Sequence, residues 1–269
     1  MKNEDDLIKF LQAYQTYLTS SFSELWDMVE IEYDKLEAYS VIGGLLSRQV
    51  TLSIQMARSP NTLNVHVAPL FLRAMTDLHI TLAWIMLDLE ERSKKYILYG
   101  LGEEKLLVEH YKKGISNSPD NPDNEQIMKL IDFKLNWINS QRRDFFVEVN
   151  LGHWAQLDYR KMAQESGCED LYKFAYKPFS HGAHNMWPHI SIYNCKYCES
   201  PLHKHHLIPA LFEVPLELDF LFRSCKYIDK AYKLFIDKFG LRLNMLPLEW
   251  WNSYFTGQES ITDDEIKGK

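Results

Sequence analysis

The chain lacks any uninterrupted apolar run long enough to cross a membrane. Its longest apolar stretches, Val65–Leu72 and Ile80–Leu87, fall short of the ~20 residues that a spanning helix needs. The first residues, Met-Lys-Asn-Glu-Asp-Asp, also lack the basic start and apolar core of a signal peptide. We therefore expect a cytoplasmic protein with no membrane partner.

Cysteine and excess positive charge are also scarce. No cysteine precedes Cys168, and the other three are Cys195, Cys198 and Cys225. In a reducing compartment we expect these residues to be free thiols or metal ligands, without a disulfide framework. The formal net charge of −7 argues against wholesale binding of nucleic acid, although a local basic patch remains compatible with it.

Alternating apolar and polar residues, which mark half-buried strands, are absent too. Apolar residues recur every three or four positions, which is typical of amphipathic helices. This spacing predicts long helices near residues 4–31, 35–58, 63–87, 90–113, 125–149 and 210–238, and short ones near 159–165 and 169–184. The sequence thus predicts an all-α, single-domain helical bundle over residues 1–245, with one irregular Cys/His-rich insertion at 185–209, and then an aromatic segment and polar C-terminal tail over 246–269.

Two opposite charges interrupt the most apolar predicted helix. Arg73 and Asp77 are four residues apart, so they share a helix face and can pair. They are either a structural ion pair that orders neighbouring helices, or part of a polar cleft in which the guanidinium binds an anion such as phosphate. His79 lies about 120° away from Arg73 on an ideal helix, so it joins the same site only if the helix begins or bends between them.

A second polar group follows in the segment from Tyr176 to His184. His181 and His184 are three residues apart, so both imidazoles can face one way for acid–base chemistry or metal binding. Alternatively, they only stabilise the dipole of a helix C-terminus. Ser180 and Tyr176 can supply hydroxyl groups to the same pocket. The candidate catalytic residues are Arg73, Asp77, His79, Ser180, His181 and His184, and Tyr176 is a candidate binding residue.

The irregular insertion is rich in metal-binding side chains. Cys195 and Cys198 have the two-residue gap that lets paired thiolates take adjacent corners of a zinc tetrahedron, and His203 follows. These three are candidate ligands of a structural zinc ion. A loop held by prolines and leucines without metal is the alternative. In a third interpretation, His203, Lys204, His205 and His206 form a cationic lip over the cleft, which makes the last three candidate binding residues.

Three motifs together resemble an uncharacterised all-helical family of prokaryotic proteins. The motifs are FLRAMTDLHITLAWI, YKPFSHGAHNMW and CESPLHKHHLIP. In that family an arginine followed four residues later by an acidic residue lies on a central helix, and a helix with serine and histidine comes later. Arg73 with Asp77 matches the first feature, and Ser180 with His181 or His184 matches the second. The resemblance covers about residues 40–240.

The arrangement is also similar to the HEPN superfamily of helical ribonucleases and toxins. Enzymes of that superfamily use an arginine and a histidine about four to six residues apart, usually across a dimer interface, and Arg73 with His79 meets this spacing. Ala74 departs from the pattern, since a polar residue usually follows the arginine. The resemblance implies a ribonuclease or toxin-type effector in antiphage defence, acting as a homodimer or with a defence-system partner protein.

Three functional hypotheses follow. In the first, a histidine exchanges protons with RNA while Arg73, oriented by Asp77, stabilises the charged phosphorane, so that catalysis needs no cofactor. In the second, the protein is a non-catalytic sensor that binds a nucleotide-like anion or a protein partner, with a zinc-stapled loop. In the third, His181, His184 and Asp77 hold a catalytic metal ion, which requires them to converge in space.

Overall fold

Helices account for most of the chain, as the apolar spacing predicts. The computed structural model describes residues 4–145 and 158–266, with side chains over 4–141 and 158–256. The helices are α1 (Glu4–Asp27), α2 (Leu36–Arg58), α3 (Ala68–Leu87), α4 (Leu89–Asn117), α5 (Asn124–Phe145), α6 (Tyr159–Glu165), α7 (Glu169–Leu171), α8 (Lys177–Ala183), α9 (Trp187–Tyr193), α10 (Leu218–Phe239) and α11 (Pro247–Ile266). Two short strands, β1 (Cys195–Tyr197) and β2 (Leu207–Pro209), form the one sheet of the described residues. The predicted all-α class is confirmed.

The helices divide into two compact units. The larger comprises Met1–Leu87 and Tyr159–Lys269, and the smaller comprises Asp88–Asp158, which holds α4 and α5. In the smaller unit, the carboxylate of Asp88 accepts the backbone N–H of Glu91 and so caps the start of α4. The described part of α5 ends at Phe145, so the rest of the helix predicted up to residue 149 lies outside the described residues.

Helix α3 is the core of the larger unit. It packs against α2, α6, α8 and α10, and Leu72, Met75 and Ile80 on it have no exposed surface. Both apolar stretches meet in this helix, although it begins at Ala68, five residues after the start that the sequence predicts, because residues 65–67 form a turn. By length and composition α3 could cross a membrane, but 61% of its apolar window is buried inside the protein, as in a core helix.

The C-terminal aromatic segment is also helical, which the sequence analysis did not predict. Trp250 of α11 stacks on Tyr17 of α1 with ring centroids 4.8 Å apart, and Trp251 meets Phe10 edge-on at 4.9 Å. Burial of these large rings supplies much of the contact energy for a helix with few other apolar residues. The segment from Trp250 onward thus covers α1 as part of the larger unit.

Helix α2 provides a test of this packing, because it runs through Gly43 and Gly44 without a break. A Cβ atom on Gly43 would lie 2.5 Å from the Trp26 ring, whereas one on Gly44 would have no described atom within 4 Å. We expect Gly43→Ala to lower the free energy of unfolding by about 1–3 kcal/mol, since Trp26 must shift. Gly44→Ala should raise it by about 0.5–1 kcal/mol, since alanine favours helix.

Urea unfolding followed by circular dichroism measures both variants. The two substitutions are adjacent and chemically identical, so each controls for the other. Effects of the same sign and size would contradict the position of the Trp26 ring against α2.

Candidate functional site

Arg73 anchors the polar group that the fold assembles beside α3. Its Nε–H donates to Oγ of Ser180 on α8 at 2.8 Å. Its Nη1 pairs with a carboxylate oxygen of Asp77, one turn further along α3. The Arg73 side chain is only 12% exposed and that of Asp77 is 28% exposed, so this ion pair lies in a largely dehydrated environment. Electrostatic attraction is stronger there than in water, so Asp77 fixes the position of the guanidinium.

Tyrosine rings cover the flat face of the same guanidinium. Cζ of Arg73 lies 3.4 Å from the ring centroid of Tyr176, and the ring of Tyr159 is 5.8 Å away. A cation–π interaction of this kind, shielded from water, contributes about 2 kcal/mol to stability. The Ser180 hydroxyl donates to the backbone carbonyl of Tyr176 at 2.7 Å, which leaves its oxygen free to accept from Arg73. Both contacts come from neighbouring turns of one helical segment.

That segment contains a π-helical turn. Helix α7 continues into α8 through Tyr172–Tyr176, whose backbone is π-helical. A π-turn takes more residues per turn than an α-helix and is frequent at functional sites. Here it lies directly before α8, which carries Ser180, and the ring of Tyr172 stacks on that of Tyr176 with centroids 4.8 Å apart. The turn therefore ends at Tyr176, the one of its two tyrosines that contacts Arg73.

His184 completes the group, which we call the Arg73 cluster: Arg73, Asp77, Tyr176, Ser180 and His184. Burial raises the pKa of the Asp77 carboxyl, while the charges of Arg73 and of His184 act in the opposite direction. The charge of His184 therefore acts on the carboxyl group of Asp77. Helix α8 ends at Ala183, and His184 follows with φ of −107°. The His184 side chain is exposed, whereas Arg73 and Asp77 are both partly buried.

His184 is the residue that caps the end of α8, and its backbone N–H bonds to the carbonyl of Ser180. That His181 and His184 act in one site stays a prediction. His181 lines a cleft of about 280 Å³ with Gly182, His189 and Tyr193. Burial lowers the pKa of His189 in this cleft, and the charges of His66 and His181 lower it further.

His79 is not brought to Arg73. It is 5% exposed, its Nδ1 has no hydrogen-bond partner, and the charged group that acts on it is Lys230 of α10. Since α3 stays helical from Arg73 to His79, the expected rotation of about 120° points the two side chains at different neighbours. Within this chain, the Arg73 and His79 pair required by the HEPN-like spacing does not form.

A basic cleft, which the sequence analysis missed, adjoins the cluster through the π-turn. Its volume is about 360 Å³, and it is lined by Arg160, Gln164, Glu169, Tyr172, Lys173 and Lys177. The Lys177 ammonium lies 5.7 Å from the Tyr172 ring. The available signal was the repeated Tyr-Lys pair in YKFAYK, which puts two rings and two cations one turn apart.

The Cys/His-rich insertion forms a β-hairpin. Strands β1 and β2 are antiparallel, with Lys196 opposite Ile208. The structure brings together Cys198, His203 and His206, whose ligand atoms all lie within 4.8 Å of one another, and Cys195 is outside this group. Lys204 and His205 lie in the exposed turn between the strands, so their role as binding residues stays a prediction.

Comparison with known proteins gives one match to a family. The model of DUF5677, a family of unknown function, matches residues 39–198, which is more than half of the chain. No curated protein and no solved structure matches the chain significantly. The matched range contains the whole Arg73 cluster and the basic cleft, and it ends at Cys198, before His203 and His206.

The burial of His79 predicts a pH-dependent stability. Burial lowers the pKa of His79 from 6.5 to about 4, so between these values the unfolded chain binds more protons than the folded one. The contribution of His79 to the free energy of unfolding is therefore fully present above pH 6.5. It falls by roughly 3 kcal/mol as the pH drops from there through 4. We expect His79→Leu to unfold with a flatter pH profile than the original protein.

Urea unfolding at a series of pH values from 4 to 7.5 measures both proteins. The raised pKa of Asp77 has the opposite effect on stability, but it is present in both proteins and cancels in the difference. Parallel pH profiles would contradict a neutral, buried His79.

Proposed function

The chain belongs to DUF5677, a family of unknown function, and we propose that its Arg73 cluster makes it a metal-independent ribonuclease. The observation that carries this proposal is that a fixed guanidinium, a partly buried carboxylate and an exposed histidine lie beside a cleft with three cations and a tyrosine. A phosphate-binding arginine and a proton-transferring histidine are the two groups that cleavage of RNA through its own 2′-hydroxyl requires.

Arg73 suits the stabilisation of a phosphorane because its position is fixed before the substrate arrives. Ser180 holds Nε, Asp77 holds Nη1, and Tyr176 supports the face of the guanidinium. Preorganised charge in a dehydrated site stabilises a developing negative charge without reorganisation. The proposed role of Asp77 is to orient Arg73, as the sequence hypothesis has it.

His184 is the proton acceptor of the proposed reaction. Its imidazole takes the proton of the ribose 2′-hydroxyl while the 2′-oxygen bonds to phosphorus and the bond from phosphorus to the 5′-oxygen breaks. Water protonates the leaving 5′-oxygen, so the products are a 2′,3′-cyclic phosphate and a 5′-hydroxyl end. The proposed role of the Asp77 carboxylate toward His184 is electrostatic, since the charges of the two groups act on each other.

The basic cleft provides the route for the RNA strand. Cations and stacked rings bind single strands with little sequence preference, because backbone phosphates meet the charges and bases stack on the aromatic faces. Arg160 and Lys177 supply the charge, since Lys173 is paired with Glu169 of the same cleft at 2.9 Å, and Tyr172 supplies the ring. The net charge of −7 does not conflict with this, since the positive charge is local.

The proposed chemistry is the one that the HEPN-like interpretation implies, with an arginine that stabilises phosphate and a histidine that transfers a proton. The histidine is a different residue. His184 replaces His79, which is buried on the side of Lys230. A toxin-type role in antiphage defence, as a homodimer or with a partner protein, extends the proposal on the strength of the sequence resemblance alone.

A non-catalytic binding module is the second candidate, and one observation favours it. Nε and Nη1 of Arg73 are already engaged by Ser180 and Asp77, and the Asp77 carboxylate neutralises the guanidinium charge. A small phosphate ligand that only supplements these contacts would be bound without turnover.

Two histidines of one segment give a matched test of cleavage. His184→Ala should reduce cleavage of a fluorescent single-stranded RNA by about 10²–10⁴-fold, the usual contribution of a general base. His181→Ala should leave the rate unchanged, because His181 lines the other cleft. Arg73→Lys should also lose activity, since lysine keeps the charge but lacks the planar donors and the stack.

The assay contains a chelator throughout, and thermal unfolding checks that each variant is folded. Detection of a 2′,3′-cyclic phosphate end identifies the chemistry. Equal activity of His184→Ala and the original protein would exclude this mechanism, and binding of RNA without any product would favour the second candidate.

Binding can be measured separately with a 2′-O-methyl RNA, which has no nucleophilic hydroxyl. Replacing both Arg160 and Lys177 with alanine should weaken the binding of this RNA. The magnitude of the slope of log affinity against log salt concentration should fall by about two, one for each lost phosphate contact. Lys226→Ala, on the exposed face of α10, is the control and should leave the slope unchanged. If the slope changed in Lys226→Ala but not in the double variant, RNA would bind along α10 and the proposed role of the basic cleft would be wrong.

A further inference from the structure

The turn of the β-hairpin presents three side chains that bind metal ions well. Beyond the last paired residues, Tyr197 and Leu207, the backbone N–H of Cys198 donates to the carbonyl of His206 at 2.9 Å. This bond extends the ladder by one pair and sets Cys198 directly across from His206. Side chains of directly opposed residues leave the sheet on the same face, so the thiol and the imidazole meet.

His203 reaches the same point through two successive turns. Its N–H donates to the carbonyl of Ser200, and its carbonyl accepts the N–H of His206. His205 between them adopts the left-handed conformation, with φ of 64°. This path returns the chain so that the rings of His203 and His206 are edge to face, with centroids 5.4 Å apart.

The distances match those of a tetrahedral metal site. Zinc bonds of about 2.3 Å to sulfur and 2.0–2.1 Å to nitrogen put the sulfur and a nitrogen about 3.5 Å apart. Cys198 Sγ and His203 Nδ1 are separated by 3.6 Å. All three ligand atoms lie within 4.8 Å of one another, so a bound ion requires the widest pair to close by only about 1 Å.

Cys195 lies outside this ligand group because it is the first residue of β1. The spacing of Cys195 and Cys198 suits a zinc site when the chain between them turns, but here it is the strand β1. Successive side chains of a strand point to opposite faces, so residues three apart face away from each other. The ligand set is therefore one thiolate and two imidazoles within nine residues, Cys198, His203 and His206.

We propose that Cys198, His203 and His206 bind one zinc ion, which closes the end of the hairpin. One thiolate with two imidazoles is a donor set that zinc prefers over magnesium or calcium, and an exchangeable water takes the fourth position. Strands of three residues are marginally stable by themselves, and the turn carries Leu202 with 90% of its surface exposed. The metal ion supplies the crosslink that such a hairpin otherwise lacks.

Metal binding to the full-length protein tests the proposal, with any affinity tag removed because a tag would itself bind zinc. After treatment with a chelator, titration with Zn²⁺ should give about one equivalent of tightly bound metal by elemental analysis and a higher Tm. Titration with Co²⁺ should give the thiolate-to-cobalt charge-transfer band. Cys198→Ser should lose this band, and His206→Asn should lose most of the affinity.

Two neighbours provide matched controls. Cys195→Ser removes the other thiol of the hairpin, and His205→Asn removes the adjacent imidazole while tolerating the left-handed conformation. Both should retain the cobalt band and the stoichiometry. Less than stoichiometric metal in the original protein, or loss of the band in Cys195→Ser but not in Cys198→Ser, would overturn the proposal. The titrations contain no RNA, so their result is independent of the proposed cleavage.

Discussion

A guanidinium on α3, the core helix of the larger unit, is the constraint on which the candidate site depends. Removing a cation from water costs several kcal/mol unless charged and polar partners replace the lost hydration. Arg73 obtains one partner from its own helix, Asp77, and two from the segment that precedes and forms α8, Tyr176 and Ser180. The position of α8 against α3 is therefore set by electrostatics as well as by apolar contact, and this same requirement puts His184 at the edge of the ion pair.

The π-turn connects this constraint to the surface. Tyr176 ends the turn under Arg73, Tyr172 begins it beside the basic cleft, and their rings stack. One local departure from α-helical geometry thus links the partly buried charge of Arg73 to an exposed cleft. Two of the cations of that cleft, Lys173 and Lys177, each follow a tyrosine of the turn, so positive charge is concentrated there although the net charge of the chain is −7.

Helical periodicity was enough to predict the all-α class and the pairing of Arg73 with Asp77, because both follow from residues close in the chain. It did not predict α11, whose helix depends on aromatic contacts with α1. It also did not predict that Cys195 lies outside the group of Cys198, His203 and His206. Sequence spacing assigns a face only when the backbone between two residues is known, and the backbone after Cys195 is a strand. The rotation of His79 away from Arg73 was calculable, whereas its neighbour Lys230 was not.

The two proposed sites differ in how much they depend on the shared part of the fold. The family match includes every residue of the Arg73 cluster but only Cys198 of the three proposed zinc ligands. The cluster is also built on the core helix α3, so its geometry is as stable as the core itself. The strands of the hairpin have no buried residue, and in our proposal a metal ion at the turn stabilises them. If the proposed site binds a metal ion, its removal should therefore disturb the hairpin while leaving Arg73, Asp77 and Ser180 in place, because the contacts that fix these side chains come from α3 and α8.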